Sequence, residues 1–159
     1  MTGWAKDPRR PALVHALLPL LEDSCPPDGH GYGGAFELRL PDEEVVGLGG
    51  VELLRSALRA AARELGWRVE SFAWAGTIHG TMAGVRDLRE PPPGTAAAVE
   101  AHWERRLQAA VELGRRSRPA DAPLPPGATD WAALAAAFRT AHARALDATG
   151  PTAPRTPQG

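Results

Sequence analysis

Hydrophobic positions along the chain repeat with two periods, and the alternation between them sets out the elements. Residues 35–40, AFELRL, alternate strictly: Phe36, Leu38 and Leu40 face one way and Glu37 and Arg39 the other. A period of two predicts a half-buried strand, closed by Pro41 and Asp42. In 50–65 the spacing changes. Val51, Leu54, Leu58, Ala61 and Leu65 recur at three and four residues, which predicts an amphipathic helix ended by Gly66.

The same reading predicts a first helix over 11–22, with Pro11 in its first turn and Leu13, Leu17, Leu20 and Leu21 on its apolar side. Pro19 is expected to kink or end it. Residues 23–34 hold two prolines and four glycines and read as a loop. A short strand is expected at 44–46. A long helix is expected over 95–116, with Val99, Trp103, Leu107, Ala110 and Gly114 on one side. A last helix is expected over 129–148, capped by Thr129 or Asp130, with Trp131, Leu134, Phe138, Ala141 and Ala145 as its stripe. Residues 119–128 read as a proline-rich linker and 149–159 as a disordered tail. The expected organisation is one domain over 1–118, with the last helix packing on it or on a partner.

Residues 67–75 and 77–85 are strand-like, and Gly76 sits where a tight turn would fall. With Ala75–Gly76 as the turn, Trp74 pairs with Thr77, Phe72 with His79 and Glu70 with Thr81. Facing partners in a hairpin share a side. This register puts Val69, Ser71, Ala73, Ile78, Gly80 and Met82 under helix 50–65, and the large aromatics on the opposite, mixed face. The order of elements predicts an α+β fold: a small, mainly antiparallel sheet of three to four strands packed with about four helices.

Composition adds limits. A 43% hydrophobic content supports a packed core. The net charge of −1 and a pI near 6.5 disfavour a general nucleic-acid binder. Lys6 is the only lysine among 18 basic residues, the usage of a GC-rich genome, so arginine number alone carries little meaning. The single cysteine, Cys25, excludes an intrachain disulfide. The N-terminal run imitates a signal peptide but is short, is broken by His15 and Pro19, and lacks a small-residue cleavage site. No apolar run is long enough for a membrane span. The expected setting is cytoplasmic, with no membrane.

Several motifs reduce to ordinary explanations. VVGLGGVELL (45–54) resembles a phosphate-binding turn, but Glu52 stands in the first helical turn, where a carboxylate repels phosphate. Cys25 and His30 share a loop that offers no helix N-terminus to lower a thiol pKa. No two of the five histidines have helical ligand spacing, so no metal and no cofactor is expected. Arg55, Arg59 and Arg63 form a basic face on helix 50–65, with Arg105 and Arg106 on another helix; such a face can hold phosphates, but it is read as solvated.

The mixed hairpin face is what remains. Phe72, Trp74, Thr77, Thr81 and, from the loop, Tyr32 are candidate ligand-binding residues, because polar groups among aromatics suit a pocket. His79 is the candidate acid or base, with Glu70 as its charged neighbour. The favoured explanation of this face is nevertheless that the C-terminal helices bury it through Trp103, Trp131 and Phe138, with a ligand or partner surface as the other. Without a catalytic motif, the leading expectation is a small accessory or regulatory protein that is not an enzyme and binds a partner protein or itself. A ligand-binding protein or small enzyme using the Phe72, Trp74 and His79 face is the alternative. Nucleic acid, held by that face and the arginine stripe, is not favoured.

Overall fold

The alternation of 35–40 is seen as strand β1 (Ala35–Leu40), with Phe36, Leu38 and Leu40 buried and the residues between them half-buried. The computed structural model describes residues 3–115 and 121–150. β1 is an edge of a three-stranded antiparallel sheet ordered β1-β3-β2, where β2 is Val69–Thr77 and β3 is Gly80–Asp87. Five α-helices and a short 3-10 helix, Gly3–Lys6, complete an α+β fold.

Helices α1 (Arg10–Asp23) and α3 (Val51–Glu64) form one layer on the inner face of the sheet. Leu13, Leu17 and Leu21 of α1 and Leu53, Leu54 and Leu58 of α3 are almost fully buried there. Each such side chain contributes about 1.5–3 kcal/mol by leaving water. Pro19 does not end α1, which continues through it to Asp23. α3 stops at Glu64, and Gly66 follows with a left-handed φ of 79°.

The stretch expected to hold a short strand, 44–46, is helical instead, within α2 (Asp42–Leu48). Asp42, Glu43 and Glu44 fill its first turn, where carboxylates favour a helix. Gly49 and Gly50 then take φ values of 117° and 100°, which turn the chain directly into α3.

The hairpin differs most from expectation. Its turn lies at Ile78–His79, and Ala75–Gly76 is a bulge within β2. Gly80 has a left-handed φ of 79° and closes the turn; Thr77 Oγ1 donates to its carbonyl oxygen and accepts from the His79 N–H. Trp74 therefore faces Met82 rather than Thr77, a slip of five residues on β3. An odd slip exchanges the faces of a strand. Thr81, Ala83 and Val85 are buried toward α1 and α3, while Met82, Gly84 and Arg86 share the outer face with Glu70, Phe72 and Trp74.

α4 (Pro93–Arg115) and α5 (Trp131–Ala148) follow. α5 packs on α1 and β1, with Phe138, Ala135 and Ala145 buried; Asp130 Oδ1 caps it by accepting the Ala133 N–H at 2.9 Å. Arg139 pairs with Glu44 of α2 at 2.6 Å. α4 turns a different side inward from the one its apolar spacing suggested. Val99 and Ala109 are buried, Trp103 is half-buried, and Leu107, Ala110 and Gly114 are exposed. The start of the linker and most of the tail, residues 116–120 and 151–159, lie outside the described residues.

Candidate functional site

The outer face of the sheet is covered in part. The end of α1 reaches the cavity through Leu20 and Asp23, and the start of α5 brings Trp131 onto Arg39 of β1. α4 meets the loop before β1, where Trp103 Nε1 donates to the Gly33 carbonyl at 2.7 Å and Val99 fills the space a Cβ at Gly33 would occupy. Between them lies a cavity of about 450 Å³. Phe72, Trp103 and Trp131 supply aromatic wall, Leu20 and Leu134 aliphatic wall.

Phe72 is placed by its neighbour across the ladder. Its ring lies over Gly84, where a Cβ would overlap it, and stacks on Trp74 with centroids 5.1 Å apart. Trp131 is held by the Arg39 guanidinium, whose carbon lies 3.7 Å from the ring centroid. Arg39 also pairs with Glu37 at 2.7 Å. The stack ties β1 to α5, and the ion pair within β1 holds the Arg39 guanidinium for it.

Four charged side chains line the cavity: Asp23, Glu37, Arg86 and Arg106. Glu37 is neutralised by Arg39, and Arg86 by Glu70. Asp23 is exposed to water in the last turn of α1. Arg106 is half-buried. It donates through Nη2 to Thr129 Oγ1 and lies over the Trp103 ring, its guanidinium carbon 5.3 Å from the centroid. It pairs with no carboxylate among the described residues, and burial pushes its pKa down from the ordinary arginine value.

Of the residues proposed from the sequence as catalytic, as ligand-binding or as the basic face of helix 50–65, only Phe72 lines the cavity. Trp74 extends the aromatic surface beyond it and is 57% exposed. Glu70 holds Arg86. The expected juxtaposition of His79 and Glu70 does not form. His79 is exposed at the hairpin turn, and Glu70 lies seven residues along β2 from Thr77, roughly 20 Å at the usual strand rise.

Thr77 is spent on the turn. Thr81 points into the core and donates to Asp42 Oδ1 at 2.7 Å. Tyr32 lies under the Arg89 guanidinium, 4.5 Å from carbon to centroid, on the far side of the loop. Cys25 is half-buried beside the Leu21 and Gly31 carbonyl oxygens, and burial raises its pKa, the opposite of an activated thiol. In the basic face, Arg55 donates to Ser71 Oγ and pairs loosely with Glu52, while Arg63 is exposed.

Sequence reasoning missed Glu37 and Arg86 as cavity residues and placed Arg106 only in a basic face read as solvated. It treated Trp103 and Trp131 as cover or anchors, without joining them to Phe72 around a space. The aromatic content of α4 and α5 was the visible signal. Among the described residues, no group of three or more His, Cys, Asp or Glu side chains is placed to hold a metal ion. No described helix is long and apolar enough to cross a membrane. No protein-family model, curated protein or solved structure matches this chain.

Proposed function

We propose that the protein is a small, cytoplasmic, non-enzymatic binding protein that takes a small, largely apolar molecule into the cavity above its sheet. The observation that carries this reading is the cavity itself. Its volume of about 450 Å³ suits a molecule of one or two rings, since ligand sites run to about 300–1,000 Å³ with mostly apolar walls and few polar groups. Phe72, Trp103 and Trp131 offer ring faces for stacking, worth about 0.5–1.5 kcal/mol each beyond area burial. Among the described residues the cavity wall holds no histidine or cysteine, and its serine, Ser24, donates to the Leu21 carbonyl, so binding rather than bond-making is the favoured reading.

The neutral fluorophore phenylnaphthylamine tests this. It is expected to bind the folded protein at a single site and to shift the indole N–H resonances of Trp103 and Trp131. An absence of binding, or binding that leaves those two signals unmoved, sinks the reading.

Self-association or docking of a partner protein is a second reading, favoured by one feature of α4. Leu107 is 64% exposed, and Val111, one turn on, is also exposed. In a regulatory or accessory role this stripe meets another chain. Light scattering over a wide concentration range, with Leu107→Glu as comparison, separates a monomer from an associating protein.

A further inference from the structure

Among the described residues, the cavity wall holds one cation with no carboxylate partner. Among its four charged lining groups, Glu37 and Arg86 are paired with Arg39 and Glu70, and Asp23 is in water at the rim, where its field is screened. Arg106 differs from all three. It is half-buried between the Trp103 ring and Thr129, with one of its five N–H donors used by a neutral hydroxyl. No other polar partner reaches it among the described residues. A guanidinium in an apolar wall without an anion is costly, and its remaining donors form a planar fork suited to a carboxylate, sulfonate or phosphate.

Resting on the binding reading above, we infer that the ligand is an apolar anion. Its ring or branched hydrocarbon part lies against Phe72 and Trp131, and its single anionic head is held by Arg106. The negative group gives Arg106 the counter-charge it lacks among the described residues, and charge-assisted hydrogen bonds in a partly dry site are the strong kind. The burial that lowers the Arg106 pKa is the same desolvation an anion would offset. Neutral molecules of equal size gain the ring contacts alone. Cations meet repulsion.

The test compares two probes that differ by one charge, phenylnaphthylamine and anilinonaphthalene sulfonate. Each is titrated into the full-length folded chain and into Arg106→Gln and Arg105→Gln. Arg105 is exposed on α4 and outside the cavity, so its loss changes net charge equally without touching the site.

The sulfonate is expected to bind the native chain about tenfold or more tighter than the neutral probe, the scale of one charge-assisted contact. In Arg106→Gln that preference disappears while neutral binding persists, which also shows the cavity intact. In Arg105→Gln the preference stays. Equal affinity for the two probes, or equal losses in both variants, overturns the inference and leaves the binding reading standing. Failure of both probes on the native chain overturns both.

Discussion

The ring of Phe72 lies across Gly84, its partner on the neighbouring strand, and the absence of a side chain at 84 is what lets it lie flat. A Cβ at 84 would overlap the Phe72 ring and sit 2.5 Å from the Phe36 carbonyl oxygen. Because β3 is the central strand, backbone on one side and a ring on the other leave little room to move. The floor of the cavity therefore depends on one glycine and one phenylalanine chosen together.

Gly84→Ala is expected to lift Phe72 into the cavity and to cost about 1–3 kcal/mol, the usual penalty for overpacking a tight site. Affinity for phenylnaphthylamine falls more than stability does. Paired urea denaturation and fluorescence titration measure both. Unchanged affinity with an intact fold would show that Phe72 is not part of the binding surface.

Phe138 is 1% exposed and joins α5 to the core shared by α1 and β1. Phe138→Ala is expected to cost about 3–5 kcal/mol, as other buried aromatic truncations do. Leu146→Ala, at a half-exposed position on the same helix, costs under about 0.5 kcal/mol. If Phe138→Ala proves as mild, α5 is not integral to the fold.

Asp42 ties α2 to the hairpin. Its Oδ1 accepts the Gly76 N–H at 3.1 Å and the Thr81 hydroxyl at 2.7 Å, and these bonds lower its pKa, the Thr81 bond most. A carboxylate held below its ordinary value of 3.8 adds stability that is present above that value. It is lost as pH falls from there through the lowered value. Amide exchange at Gly76 is expected to speed up over that window, and in Asp42→Ala to be fast at neutral pH. Slow exchange in the variant would show that the bulge is held by something else.

His102 acts in the opposite pH range. Its Nε2 is buried without a hydrogen-bond partner, and burial, with Arg106 and Arg105 beside it, lowers its pKa from 6.5. The unfolded chain therefore takes up a proton more readily. Stability is expected to decline as pH drops from about 6.5 toward the lowered value, and to level off below it. His142, lowered by burial against Phe138, adds to the same slope. His102→Leu should flatten part of the decline and leave the His142 part. Thermal melts across this range measure the difference, and an unaltered slope would remove His102 as a cause.

Taken alone, the sequence determined the period of the longer elements, though not of 44–46, because period depends on neighbours three, four or two residues away. The alternation at Phe36, Leu38 and Leu40 and the stripe of α3 are of this kind, as are the stop near Gly66 and the cap at Asp130. The α+β class follows from their order. Only the tertiary structure decided the hairpin register.

Gly76 and Gly80 both accept a left-handed backbone, so the local sequence permits a turn at either. The choice is made by Asp42, 39 residues from Thr81, and by burial of Ala83 and Val85 under the helices. That choice slips β3 by an odd number, removes His79 and Thr81 from the aromatic face and brings Gly84 beneath Phe72. The cavity then needs Trp103, Arg106 and Trp131 from two helices far along the chain. No local pattern encodes that meeting, because it is set by how α5 settles against β1 and how α4 meets the loop at Gly33.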